Sequence, residues 1–172
     1  MRLYLLGFMG SGKSHVGKKL SARLNIPFID LDDYIVRQEQ KSINQIFQEK
    51  GEAGFRQIEK QCLINTGKMP NVIIGCGGGT PCFFNNMEWM NENGATYYLN
   101  YPVEILFHRL KTRKSRRPLI KDMDDSTLFS FINQKLNERS KYYLKAQYQF
   151  TPDKNGKEAV DVIEAWVLNS QK

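Results

Sequence analysis

The chain is poor in the residues that would take it out of the ordinary globular class. It has three cysteines, Cys62, Cys76 and Cys82, an odd number with no CxxC spacing. That argues against a disulfide framework or a zinc site and leaves reduced thiols in or near the core. No apolar run approaches the ~20 residues needed to span a bilayer. The N-terminus lacks the apolar length and small-residue cleavage site of a signal peptide. There is no internal repeat, low-complexity tract or Pro/Gly/Ser linker. The expectation is a single cytoplasmic domain over 1–172. Acidic residues are outnumbered, 18 to 25, which gives a formal charge of +7. Excess positive charge attracts nucleic acid, anionic membrane and nucleotides alike, so charge alone does not choose among them.

Apolar runs alternate with helical patterns along the chain. Arg2 to Phe8 reads as a buried strand, and Val16, Leu20 and Leu24 share one helix face. Pro27 to Asp30 reads as a second strand. Ser42 and Gln45 form a capping-box pattern ahead of Ile46 and Phe47, with Gly51 ending that helix. Phe55, Ile58 and Cys62 suggest another helix. Val72 to Ile74 and Thr96 to Leu99 read as strands three and four. Pro102 suits the first turn of a helix carrying Val103, Leu106, Phe107 and Leu110. Leu128, Ile132 and Leu136 mark a long helix, Tyr148 to Thr151 a fifth strand, and Val162, Ile163, Trp166 and Val167 a final amphipathic helix. Strands alternating with helices imply an α/β fold with a parallel sheet covered on both faces. Ligands of such folds bind beyond the carboxyl ends of the strands.

The motifs fall at those ends. Gly7-Phe-Met-Gly10-Ser11-Gly12-Lys13-Ser14 matches GxxxxGK[ST] between a strand and a helix. Its glycines permit a tight loop whose amides point at phosphate oxygens, and the helix N-terminus adds a favourable dipole. Lys13 would reach the β- and γ-phosphates and Ser14 would ligate Mg²⁺. His15 follows, and a lone histidine here reads most simply as a helix surface residue.

Asp30, Asp32 and Asp33 lie just past the second strand. P-loop enzymes often hold Mg²⁺ with an acid at the end of another strand. The third strand ends in glycine and offers none, so the second must supply it. Alternation along an extended chain would put Asp30 and Asp32 on the same side, one facing the metal and the other a substrate hydroxyl. The competing role is helix N-capping, which Asp33 suits best.

Taken in order, the motifs resemble those of the shikimate kinase family over nearly the whole chain. The P-loop is followed by Asp30-Leu31-Asp32 (DxD), then by Phe55-Arg56-Gln57-Ile58-Glu59 (FRxxE). Gly77-Gly78-Gly79 matches the family's glycine triplet, Arg117-Pro118-Leu119 its lid RPL, and Arg139-Ser140-Lys141-Tyr142-Tyr143 its RxxxY. The resemblance implies a three-layer α/β/α sandwich with a five-stranded parallel sheet in the order 2-3-1-4-5. It implies a substrate-binding helical segment at about 32–62 and a lid at about 111–123. The implied reaction moves the γ-phosphoryl group of ATP to the 3-hydroxyl of shikimate, with Mg²⁺. No obvious interface stripe is left over in the sequence, and the expectation is a monomer with neither nucleic acid nor membrane as partner.

The resemblance also implies roles. Gly10, Ser11, Gly12, Lys13, Ser14 and His15 would bind ATP, with Ser14 and Asp30 at the metal. Asp32 would contact the shikimate hydroxyls and assist deprotonation. Arg56 and Arg139 would hold the carboxylate, and Gly77, Gly78 and Gly79 would line the substrate. Arg117 would close in with the lid, and Arg109 and Pro152 would flank the adenine. The chemistry agrees: a planar guanidinium grips a carboxylate bidentately, and Glu59, three residues after Arg56, can orient it. Two positions depart from the pattern: His15, where a small hydroxyl residue is usual, and Gly75, where Ser or Ala is common.

Lys111 to Arg117 carries five positive charges in seven residues. On composition alone that would suit nucleic acid or a solvated loop. Few aromatics interleave with it, which disfavours base stacking; within the resemblance it is a lid that excludes water. A P-loop kinase for another small acid, such as gluconate, is the alternative enzyme, and a P-loop regulator or nucleic-acid-binding module without transfer activity is the alternative of another class.

Overall fold

The computed structural model describes residues 1–114, 117, 119–152 and 156–170. Five strands form one sheet: β1 (Arg2–Leu6), β2 (Phe28–Asp30), β3 (Val72–Gly75), β4 (Ala95–Leu99) and β5 (Tyr148–Phe150). All neighbours pair in parallel, in the order β2-β3-β1-β4-β5 expected above. The strands alternate with helices α1 (Lys13–Leu24), α2 (Leu31–Glu39), α3 (Ile43–Thr66), α4 (Asn86–Asn93), α5 (Val103–Lys111), α6 (Asp125–Tyr143) and α7 (Ala159–Ser170).

Strand alternation sorts the core into layers. Tyr4, Leu6, Ile74 and Tyr98 face one side and pack with Leu31, Ile35, Phe55, Met87 and Tyr143 from α2, α3, α4 and α6. Leu3, Leu5, Ile73, Tyr97 and Leu99 face the other and pack on Val16 and Leu20 of α1 and Ile163 and Val167 of α7. Burial on both faces explains why these strands are apolar throughout rather than alternating with polar residues. A third cluster joins Phe8 to Leu106, Leu110, Ile120, Leu128 and Ile132, tying α5 and α6 to the start of the phosphate loop.

Several expectations were shifted by local geometry. β1 stops at Leu6, because Gly7 turns the chain at φ 144°. The capping box at Ser42 is present, with both reciprocal hydrogen bonds made. Gly51, at φ 66°, breaks the helical path within α3. Pro102 caps α5 from outside rather than sitting in its first turn. The run 80–93, left unassigned from the pattern, forms a short 3₁₀ turn at Thr80–Cys82 and then α4. Asp33 is not the cap of the helix after β2. Asp30 is, and it accepts a hydrogen bond from the Asp32 amide at 3.2 Å. β2 therefore ends at Asp30 and Asp32 lies in the first turn of α2, so strand alternation does not relate the two acids. Gly75 leaves room for Phe28, whose ring would stand 3.2 Å from any Cβ there. The cysteines are free, Cys62 and Cys76 buried and Cys82 partly so.

Candidate active site

Each strand's carboxyl end delivers one part of a single cleft. β1 leads into the phosphate loop at the centre of the sheet, flanked by β3 and β4, where the connections switch direction. Gly12 opens α1 in the left-handed region at φ 93°, a conformation that glycine adopts without strain. The Lys13 ammonium donates to the carbonyls of Gly7 at 2.8 Å and Phe8 at 3.2 Å. Burial lowers its pKa to about 8, against the opposing pull of the Asp32 and Asp30 carboxylates. Ser11 is buried, and its amide closes a turn onto Phe8 O at 3.1 Å.

Ser14 and Asp30, the two expected metal contacts, meet directly: the Ser14 hydroxyl donates to Asp30 Oδ2 at 2.6 Å. This is a pair of hard oxygen donors, one from the start of α1 and one from the end of β2. It is the chemistry that Mg²⁺ accepts when phosphate and water complete its shell.

Asp32 keeps solvent access as a residue, but its carboxyl is crowded by Asp30, Glu59 and Lys13. Loss of hydration raises its pKa to about 6, Asp30 and Glu59 push in the same direction, and Lys13 opposes.

The glycine triplet brings the remaining parts together. A Cβ at Gly77 would stand 3.3 Å from Asp32 Oδ1, one at Gly78 3.1 Å from Arg139 Nη1, and one at Gly79 2.8 Å from Arg56 Nη2. One acid and two guanidiniums thus converge on three consecutive residues that have no side chains to keep them away.

Arg56 is held from several directions. Its Nη1 donates to Glu59 Oε2 at 2.8 Å, in a pair whose carboxylate is 1% exposed. The other Glu59 oxygen accepts from the Thr80 hydroxyl at 2.6 Å. The guanidinium lies 4.2 Å from the Phe83 ring centroid and 5.1 Å from that of Phe55. Thr80 and Phe83 were not singled out from the sequence, and no spacing signal marks them. Both come from the turn that follows the triplet.

Across the sheet, Arg109 stacks 4.1 Å over the Tyr101 ring, and its Nη1 donates to Gly10 O at 3.2 Å. Arg109, Pro152, His15 and Tyr101 line one cavity of about 330 Å³. Arg117 is partly buried, which lowers its pKa with help from the Arg113 charge. Ser115, Arg116 and Pro118 of the expected lid lie outside the described residues.

With this geometry the chain compares closely with known proteins. A family model described as shikimate kinase matches residues 9–167. A shikimate kinase from Bacteroides thetaiotaomicron is 44% identical over 153 residues, spanning 89% of this chain and 87% of the relative. The crystal structure of a shikimate kinase from the same species superposes with a TM-score of 0.88 at 39% identity, covering 99% of this chain and 98% of that one. A shikimate kinase from Acinetobacter baumannii in complex with shikimate gives a TM-score of 0.82 at 29% identity, over 98% of this chain and 91% of that one.

Proposed function

The chain belongs to the shikimate kinase family, and from that membership we propose a reaction and a role for each residue of the cleft. It is a kinase that phosphorylates shikimate with ATP as co-substrate. The oxygen of the shikimate 3-hydroxyl forms the new bond to the γ-phosphorus. The bond to the β–γ bridging oxygen breaks, ADP departs, and the hydroxyl proton passes to the Asp32 carboxylate. The single observation that carries the site assignment is the convergence of Asp32, Arg139 and Arg56 on Gly77, Gly78 and Gly79.

Arg56 and Arg139 bind the substrate carboxylate, and the Glu59 pair fixes the Arg56 fork so that little freedom is lost on binding. The raised pKa of Asp32 suits a group that must receive a proton near neutral pH. Gly10, Gly12, Lys13, Ser14 and His15 hold the triphosphate, with Ser11 bracing the loop. Lys13 and Arg117 balance charge on the transferring group. Ser14 and Asp30 would hold Mg²⁺, which when bound neutralises phosphate charge and orients the β- and γ-oxygens. Arg109 and Pro152 flank the adenine in the cavity they share.

Segment 32–62 forms the substrate half of the cleft and 111–123 the lid. The protein is read as a monomer. Among the described residues no helix is long and apolar enough to cross a membrane. The reading is of a cytoplasmic enzyme with neither nucleic acid nor membrane as partner. The test is ADP release with Mg·ATP in the presence and absence of shikimate, beside gluconate, quinate and nucleoside monophosphates. Shikimate-dependent release that falls sharply in Arg56→Ala supports the reading; release stimulated by gluconate and not by shikimate overturns it.

A further inference from the structure

The three carbonyls of the glycine triplet are all engaged, and by different means. Gly77 O accepts from the Thr80 amide at 3.1 Å and Gly79 O from the Cys82 amide at 2.9 Å. These are turn bonds between residues three apart, which the chain closes by itself. Gly78 O instead accepts from the Tyr143 hydroxyl at 2.5 Å, across 65 residues of sequence. Among the described residues, the amides of Gly78 and Gly79 donate to no backbone carbonyl or side chain.

A trans peptide is planar, so its C=O and N–H point in opposite directions, and among the described residues no peptide is cis. Anchoring the Gly78 carbonyl toward the core therefore aims the Gly79 N–H away from it, into the cleft. Glycine on both sides of that peptide would otherwise let it rotate readily, since neither residue resists positive φ. Tyr143 is itself packed on all sides: it is fully buried, and its ring stacks on Tyr98 with centroids 5.0 Å apart. It stands one turn after Arg139 on α6. One helix face thus supplies both the guanidinium beside Gly78 and the hydroxyl that sets the peptide next to it.

We infer that Tyr143 is a positioning residue for shikimate, acting through the Gly78–Gly79 peptide to present the Gly79 amide to the bound substrate. This rests on the reading of the triplet as the shikimate site. The test compares Tyr143→Phe with Arg139→Ala in steady-state kinetics, with thermal unfolding alongside. The phenylalanine keeps the stacked ring and loses only the hydroxyl. The expected result is a rise of about tenfold in KM for shikimate, the effect of one ordered hydrogen bond, with KM for ATP essentially unchanged and Tm lowered by no more than ~4 °C, the cost of that one bond.

An unchanged shikimate KM in Tyr143→Phe, with a raised one in Arg139→Ala, overturns the inference and leaves the site reading standing. Equal loss for both substrates with a lowered Tm makes Tyr143 structural only and overturns it too. No shikimate dependence in the parent protein removes the site reading itself. Should the variant not fold, hydrogen exchange at the Gly79 amide of the parent protein decides the matter. Slowing of at least about tenfold on saturation with shikimate, the same single hydrogen bond, sustains the inference, and exchange unaffected by shikimate overturns it.

Discussion

The guanidinium of Arg56, within α3, lies 4.2 Å from the centroid of the Phe83 ring, on a residue that arrives from the turn after β3. Cation–aromatic contact of this kind is worth about 1 kcal/mol where the cation is partly desolvated, and the ring also blocks rotation of the fork. Phe83→Leu is expected to raise KM for shikimate about fivefold with little change in KM for ATP, and Phe83→Tyr to restore it. An effect that persists undiminished in an Arg56→Lys background would show that Phe83 acts independently of the arginine.

Thr80 is fully buried and donates to Glu59, itself 1% exposed. Thr80→Val keeps the shape and leaves a carboxylate oxygen without its donor in a buried place. The expected cost is about 2 kcal/mol in denaturant unfolding, together with a raised shikimate KM as Glu59 loosens its hold on Arg56. Unfolding unchanged from the parent would show that water replaces the hydroxyl.

Asp32 links activity to stability with opposite signs. Its folded pKa is raised from 3.8 to about 6. Between those values the native state keeps a proton that the unfolded chain has lost, so stability falls as pH rises through the window. Asp32→Asn removes that fall. The variant should match the parent below pH ~4 and exceed its Tm above pH ~6, by only ~2 °C because the residue is solvent-accessible. Its kcat should drop at least ~100-fold. In the parent, kcat/KM for shikimate should fall on the acid side near pH 6. A flat acid profile would remove Asp32 as proton acceptor.

Lys13 predicts the alkaline limb. With its pKa lowered to about 8, the ammonium proposed to meet the phosphates discharges above that pH. In the free enzyme kcat/KM for ATP should decline above about 8, whereas kcat should hold to higher pH, because bound phosphate favours the charged form. Lys13→Met should lower kcat by ~10²–10³-fold. Coincident limbs in both parameters would assign the titration to another group.

The Ser14–Asp30 pair predicts metal dependence. Asp30→Asn and Ser14→Ala should each raise the Mg²⁺ concentration needed for half-maximal activity by ~10–100-fold at fixed ATP, with the shikimate KM little altered. Equal Mg²⁺ requirement in variant and parent would place the metal elsewhere.

Much of this was legible in the amino acids because local rules wrote it. Buried strands are continuous apolar runs, Ser42 and Gln45 satisfy each other within one turn, and GxxxxGK[ST] specifies a loop conformation through its own glycines. The two acids after β2 were less legible: an extended reading placed Asp30 and Asp32 on one side by alternation. The structure instead ends the strand at Asp30, uses it as the helix cap, and brings Asp32 back beside it from the first turn of α2. The run after the triplet was not read at all, since Thr80 and Phe83 matter only for what they touch.

The sequence by itself determined the family and the parallel α/β class, and it pointed to the residues proposed to bind phosphate, metal and carboxylate, because each is a property of residue type and short spacing. Only the tertiary structure decided how those groups face one another. The Phe83 stack on Arg56, the Thr80 bond to Glu59 and above all the Tyr143 bond to Gly78 join residues from separate elements. Such contacts exist once the sheet order has brought the strand ends side by side. A glycine peptide has no orientation of its own, so its direction must be imposed by a partner that the local sequence does not contain.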